Sequence, residues 1–156
     1  MKKTFTLSLA GLIILTIGVY IMTPRGIRNN NPLNIRENHK TDFDWLGEAV
    51  EDYDSEFEEF QTPFHGIRAA ARVLRTYRNK HGLTTPREII SRWAPDNEND
   101  TESYIKSVAK KSGIGEADAI STNAQYAKLI AAMIYHENGR QPYDFDLIER
   151  ATNEGL

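Results

Sequence analysis

The sequence predicts a mainly α fold. A helical domain with a small β element spans residues 25–156, behind one N-terminal transmembrane helix within residues 1–24. Three observations carry this. The 156 residues are 40% hydrophobic and 26% charged, enough for one domain with its own core and too apolar for a disordered chain. After residue 62, apolar side chains recur at helical spacing between identifiable caps. At the start of the chain, Lys2 and Lys3 precede an uncharged run from Thr4 to Pro24.

That run is long enough to cross a bilayer, which takes about 20 residues of helix. A cleavable signal peptide would have a shorter apolar stretch and a small-residue cleavage site. Here the run ends in "VYIMTP", so an uncleaved signal anchor through residues 4–22 is the expectation. Lys2 and Lys3 favour a cytoplasmic N-terminus. The domain would then lie on the periplasmic side of the inner membrane.

The next segment, "PRGIRNNNPLNIR" (24–36), reads as a loop, because Gly26, three asparagines and Pro32 interrupt regular structure. Residues 42–60 are short and aromatic and read as an irregular hairpin or short strands. A helix follows with Ile67, Ala70, Ala71, Leu74 and Tyr77 on one face, ending at Gly82. In "TPREIISRWAP", Thr85 is an N-cap, Pro86 the first helical residue and Glu88 the third member of a capping box. Pro95 stops that helix. The next starts at Asp100 or Thr101, with Thr101 read as an N-cap, buries Tyr104, Ile105 and Val108, and stops at Gly113. Thr122 and Gln125 form a second capping box, and a last short helix is expected near 145–153.

Composition excludes several chemistries. With no cysteine, there is neither a disulfide nor a thiolate nucleophile or metal ligand. His39, His65, His81 and His136 lack zinc-hydrolase spacing, so neither metal nor cofactor is expected. The net charge of -3 argues against nucleic acid as a partner. The charge is nevertheless uneven: residues 42–59 hold nine acids and no base, and residues 65–80 hold five bases and no acid. Mutual neutralisation of these two faces is one reading; a helical DNA-binding module using the arginines of 68–78 is a weaker one. No signal sets an oligomeric state.

The helix after Thr122 carries the most informative residue. Its apolar stripe is Tyr126, Leu129, Ile130, Met133 and Ile134, and the next position in that phase is Glu137. Burial and a helix C-terminus both disfavour a carboxylate, so both push Glu137 towards the protonated state that a general acid needs. The alternative is a glutamate that points outward as the helix leaves the core, or that pairs with an arginine.

Four segments, "RGIRNNNPLNIR" (25–36), "EFQTPFHGIRAAARVL" (59–74), "IISRWAPDNENDTESYIKSVA" (89–109) and "HENGRQPY" (136–143), resemble phage-type peptidoglycan hydrolases of the lysozyme-like superfamily. "NPLNIR" and "WAPDNENDTESY" are similar to two turns of lytic transglycosylases that follow the helix ending in the catalytic glutamate. Here that helix comes last, which implies a circularly permuted order. The N-terminal run also resembles the signal-arrest-release segments of some endolysins, with a permanent anchor as the other reading.

The resemblance implies an α+β lysozyme-like fold and cleavage of the β-1,4 bond between N-acetylmuramic acid and N-acetylglucosamine, with Glu137 as general acid. The partner would be peptidoglycan glycan strands. Hydrolysis would need a second carboxylate, for which Asp52, Asp54, Glu98 and Asp100 are candidates; a lytic transglycosylase needs none. Substrate binding is expected from Asn31, Asn34, Trp93, Tyr104 and Asn138. Trp93 can equally be core and Asn138 a helix stop. Arg25, Arg28 and Arg36 are candidates for substrate carboxylates. A competing function is a non-catalytic, membrane-anchored virion or envelope protein that binds peptidoglycan.

Overall fold

A computed structural model describes residues 23–38, 40, 43–51, 53–97 and 100–156. Six helices follow in order: α1 Arg25–Arg28, α2 Pro63–His81, α3 Pro86–Trp93, α4 Thr101–Ser112, α5 Asn123–Asn138 and α6 Phe145–Gly155. The core is centred on α5, which packs against α4 and α6, while α2 packs most extensively on α6. Tyr126, Leu129, Ile130, Met133 and Ile134, the stripe read from the sequence, are all 0% exposed. Each large side chain so buried contributes roughly 1.5–3 kcal/mol.

The helix ends follow local chemistry. The Thr85 hydroxyl accepts from the Glu88 backbone, and the Glu88 carboxylate accepts from the Thr85 backbone. Thr122 and Gln125 form the same reciprocal box at the start of α5. At α4 the N-cap is Asp100, which accepts from Ser103 N. Thr101, expected as a cap, is instead buried and donates to the Ala94 carbonyl, closing the α3–α4 turn.

One expectation about the fold class is corrected. The transmembrane helix is not found: no helix among the described residues is long and apolar enough to cross a membrane. The segment 4–22 itself lies outside the described residues. Among the described residues, the small β element consists of two isolated antiparallel bridges, Arg36↔Phe57 and Glu48↔Phe60, the second closing an irregular hairpin within 42–60. Its ladder is cut short because side chains take over backbone bonding. The Asp54 carboxylate accepts from the Glu56 and Phe57 amides, a competition with sheet pairing that short polar side chains commonly win. The 24–36 segment also holds one turn of helix, α1, in which the Pro24 carbonyl accepts from Ile27 and Arg28. It ends where Asn30 adopts φ +52, a left-handed conformation that asparagine tolerates better than most residues.

This polar segment is pressed against α2 at Gly66. A Cβ there would lie 1.9 Å from the Asn30 carbonyl oxygen. Since that neighbour is backbone, Gly66→Ala has no side chain to push aside. It is expected to destabilise the fold by about 3 kcal/mol or more, measured by urea unfolding; a loss under 1 kcal/mol would contradict the packing.

A second stability prediction comes from Glu58. This side chain is buried and accepts from the Trp45 indole at 3.1 Å. Burial, then the neighbouring Glu37 carboxylate, pushes its carboxyl up to about 7. A carboxyl raised on folding stabilises the native state below its unfolded pKa, and that contribution is lost as pH rises through the folded value. Unfolding free energy should therefore fall between about pH 4.5 and pH 7, and Glu58→Gln should flatten that slope. A stability that climbs through this window in both proteins would refute the assignment.

Candidate active site

Glu137 occupies the last turn of α5, one residue before Asn138 and two before Gly139, whose φ of +68 ends the helix. Two side chains from distant parts of the chain reach it. Tyr104 of α4 donates its hydroxyl to Glu137 Oε1 at 2.8 Å. Asn34 donates Nδ2 to Oε2 at 2.9 Å. Burial pushes the Glu137 carboxyl above the usual carboxylate range, and the bonds from Tyr104 and Asn34 pull it partly back. Burial and the adjacent carboxylate hold Tyr104 firmly as a phenol, and so as a donor.

Asn34 is in place because the loop before it is fastened to the same helix end. Asn138 Nδ2 donates to the Pro32 carbonyl at 2.8 Å and to Ile134 within its own helix. A Cβ on Gly26 would stand 2.8 Å from Asn34 Oδ1 and 3.2 Å from Asn138 Oδ1, so only glycine lets α1 come this close. Asn31 braces the loop from inside: its amide donates to the Ile35 and Glu58 carbonyls and accepts from Ile35 N.

Glu137 lies where two clefts meet. One, of about 210 Å³, is lined by Asn34, Arg36, Phe57 and Trp93, with Leu33 and Ala94. The other, of about 200 Å³, is lined by Asp100, Ser103, Tyr104 and His136. Trp93, read from the sequence as either core or sugar platform, lies at the border of the two. It packs against the core, edge-on to Tyr77 at 6.3 Å, and also lines the cleft.

Several expectations are corrected. Asn31 is 0% exposed, with both ends of its amide committed to backbone, so it supports the site without facing a ligand. Asn138 is likewise buried and positions the loop. Asp54 does not line either cleft. Its carboxylate binds the Arg25 guanidinium and Asn29, and these bonds hold it down at about 2. A carboxylate so engaged is ionised throughout the useful pH range and is a brace. Arg25, expected to meet substrate carboxylates, is spent on Asp54 and Glu56. Asp52 and Glu98 lie outside the described residues. Among the described lining residues, the second carboxylate beside Glu137 is Asp100, which also caps α4.

Two lining residues were not singled out from the sequence. His136 stacks on the Tyr104 ring, with centroids 3.8 Å apart and an interplanar angle of 17°. Burial lowers its pKa, so at neutral pH it stacks as the uncharged imidazole. Its neighbour position to Glu137 in "HENG" was the available signal. Phe57 lies under the guanidinia of both Arg25 and Arg36; nothing in its local sequence separates it from the other aromatics of that loop.

The hydrogen bonds at Glu137 make a directional prediction. Removing the Tyr104 hydroxyl leaves burial unopposed on one carboxylate oxygen. In Tyr104→Phe, the Glu137 carboxyl should therefore titrate at higher pH than in the parent protein, read by carbon-detected NMR. A downward move would mean that the hydroxyl was not stabilising the charged form.

No protein-family model matches the chain. It is similar to Protein P5 of Pseudoalteromonas phage PM2, with 51% identity over 132 residues that cover 85% of this chain and 82% of that protein.

Proposed function

The chain belongs to the family of Protein P5 of Pseudoalteromonas phage PM2, and we propose that it cleaves the glycan strands of bacterial peptidoglycan. The bond is the β-1,4 linkage between N-acetylmuramic acid and N-acetylglucosamine, and Glu137 is the general acid. One observation carries this reading: a buried helix-end carboxyl, raised in pKa and held by Tyr104 and Asn34, sits where two polar-lined clefts meet. A strand laid across both clefts would bring a glycosidic oxygen to that carboxyl. The match to a phage protein is consistent with a role in host lysis or wall penetration.

The route we favour is that of a lytic transglycosylase. Glu137 gives its proton to the glycosidic oxygen, and the bond from the muramic anomeric carbon to that oxygen breaks. The muramic 6-hydroxyl then bonds to the same carbon, and the Glu137 carboxylate takes up the hydroxyl proton. The products are a 1,6-anhydro end and a free 4-hydroxyl, and the acid is restored. The support is chemical: this route uses a single carboxyl, Asp54 is locked to Arg25, and Asp100, the other carboxylate of the cleft, is engaged in capping α4 through Ser103 N.

Glu137→Gln keeps the shape and removes the proton. Release of muropeptides from purified sacculi should fall by about 10²-fold or more, with the thermal unfolding midpoint retained. Undiminished release would sink the assignment. Mass spectrometry of the parent's products should find 1,6-anhydro ends, lighter by one water than hydrolysis products; reducing muramic ends would point to hydrolysis.

A further inference from the structure

The groove continues beyond the Glu137 clefts. A third cavity, of about 190 Å³, shares Asn34, Arg36 and Trp93 with the first and extends it to Tyr77 and Val73 on α2. Val73 in turn borders a larger cavity, of about 650 Å³. One wall of this is the face of α2 that carries Arg72, Arg75, Thr76 and Lys80, positions three to four residues apart that share a helix face. The facing wall is aromatic. Phe43 and Trp45 pack edge to face at 4.7 Å, and Phe43 is 54% exposed.

Two cations of this cavity, Arg72 and Lys80, have no aspartate or glutamate partner among the described residues. Arg25, Arg68, Arg87 and Arg150 each sit within ion-pair distance of a carboxylate. Among the described residues, no aspartate or glutamate does so for Arg72 or Lys80. Arg75 is engaged otherwise, in a long bond at 3.4 Å to the main-chain oxygen of Leu156, the last residue of the sequence. Among the described residues of the acid-rich stretch, the aromatic side chains Phe43 and Trp45 line this cavity. Unpaired guanidinium and ammonium groups beside exposed aromatic rings suit a ligand with carboxylates on short apolar stems.

We propose that this cavity binds carboxylates of the stem peptides borne by the strand whose glycan occupies the Glu137 clefts. This rests on the reading of Glu137 as a peptidoglycan-cleaving acid. Muramic acid carries the peptide as a branch, so a strand along the groove would hold its branches beside it. Arg72 and Lys80 supply the charge, and Phe43 and Trp45 contact the apolar parts. The cavity then selects peptide-bearing strands over bare glycan.

The test pairs Arg72→Gln/Lys80→Gln with two substrates: intact sacculi, and glycan strands stripped of peptide by an amidase. Losing charge-assisted contacts of this kind costs about tenfold or more in affinity. On intact sacculi, KM should rise by about that factor with kcat unchanged. On stripped strands the variant should match the parent, and Arg72→Lys/Lys80→Arg should restore intact-sacculus kinetics. Equal loss on both substrates, or no loss on either, overturns the proposal. A parent that releases no muropeptide from either substrate overturns the cleavage reading instead. A second measurement stays informative in that case: co-sedimentation with intact sacculi, using Glu137→Gln with and without the two glutamines. Weaker sedimentation on adding the glutamines supports the cavity; equal sedimentation overturns it.

Discussion

The side-chain amide of Asn138 bonds to the Pro32 carbonyl and to its own helix at Ile134, and the arrangement of the site depends on that clamp. Without it, Asn34 would have no fixed position relative to Glu137. With it, a segment built from glycine and asparagines becomes a rigid wall. The wall is reinforced by Asn31 from inside and by Asn30 and Asn29, which bond the carbonyl and amide of Phe60. None of these groups faces the clefts as a ligand contact. Their function is to remove the freedom of the one that does.

The clamp also decides the electrostatics. A partly desolvated carboxylate pays several kcal/mol, whereas a hydrogen bond to a charged group returns about 1.5–3 kcal/mol. Two such bonds, from Tyr104 and Asn34, do not offset the burial, so the Glu137 carboxyl stays raised. A third donor or a nearby guanidinium would reverse the sign, as it does at Asp54, where Arg25, Asn29 and backbone amides together depress the carboxyl. The two acids differ in neighbours. One keeps its proton to higher pH than an ordinary carboxyl does, and the other loses it at lower pH.

Much of the helical frame was legible in the sequence because its signals are local. The Thr85–Glu88 and Thr122–Gln125 boxes act within four residues, and the stripe from Tyr126 to Ile134 sets a phase that carries Glu137 to the edge of the core. Tyr104 was reached through family resemblance, since no local rule connects it with Glu137. The braces at Asn31 and Asp54, and the second bond of Asn138 beyond its place at the helix stop, were hidden for one reason: each is a polar residue in or beside a loop, and only its tertiary partner tells a brace from a ligand. Asp54 finds Arg25 across 29 residues and Asn138 finds Pro32 across 106. The irregular hairpin within 42–60 pairs only briefly among the described residues, because Asp54 diverts backbone bonds that a longer ladder needs.

The bond from Asn34 to Glu137 spans 103 residues of sequence. Closing a loop of that size costs entropy that only the finished core repays. The Glu137 carboxyl therefore has this environment only when both ends of the chain are in place, with α2 through α5 packed between them. A partly folded chain would carry Glu137 as an ordinary exposed acid, ionised and inert. On the reading proposed for this site, the same long-range contact would act as a timer: a cell making the protein would meet no wall-degrading activity from nascent or damaged chains.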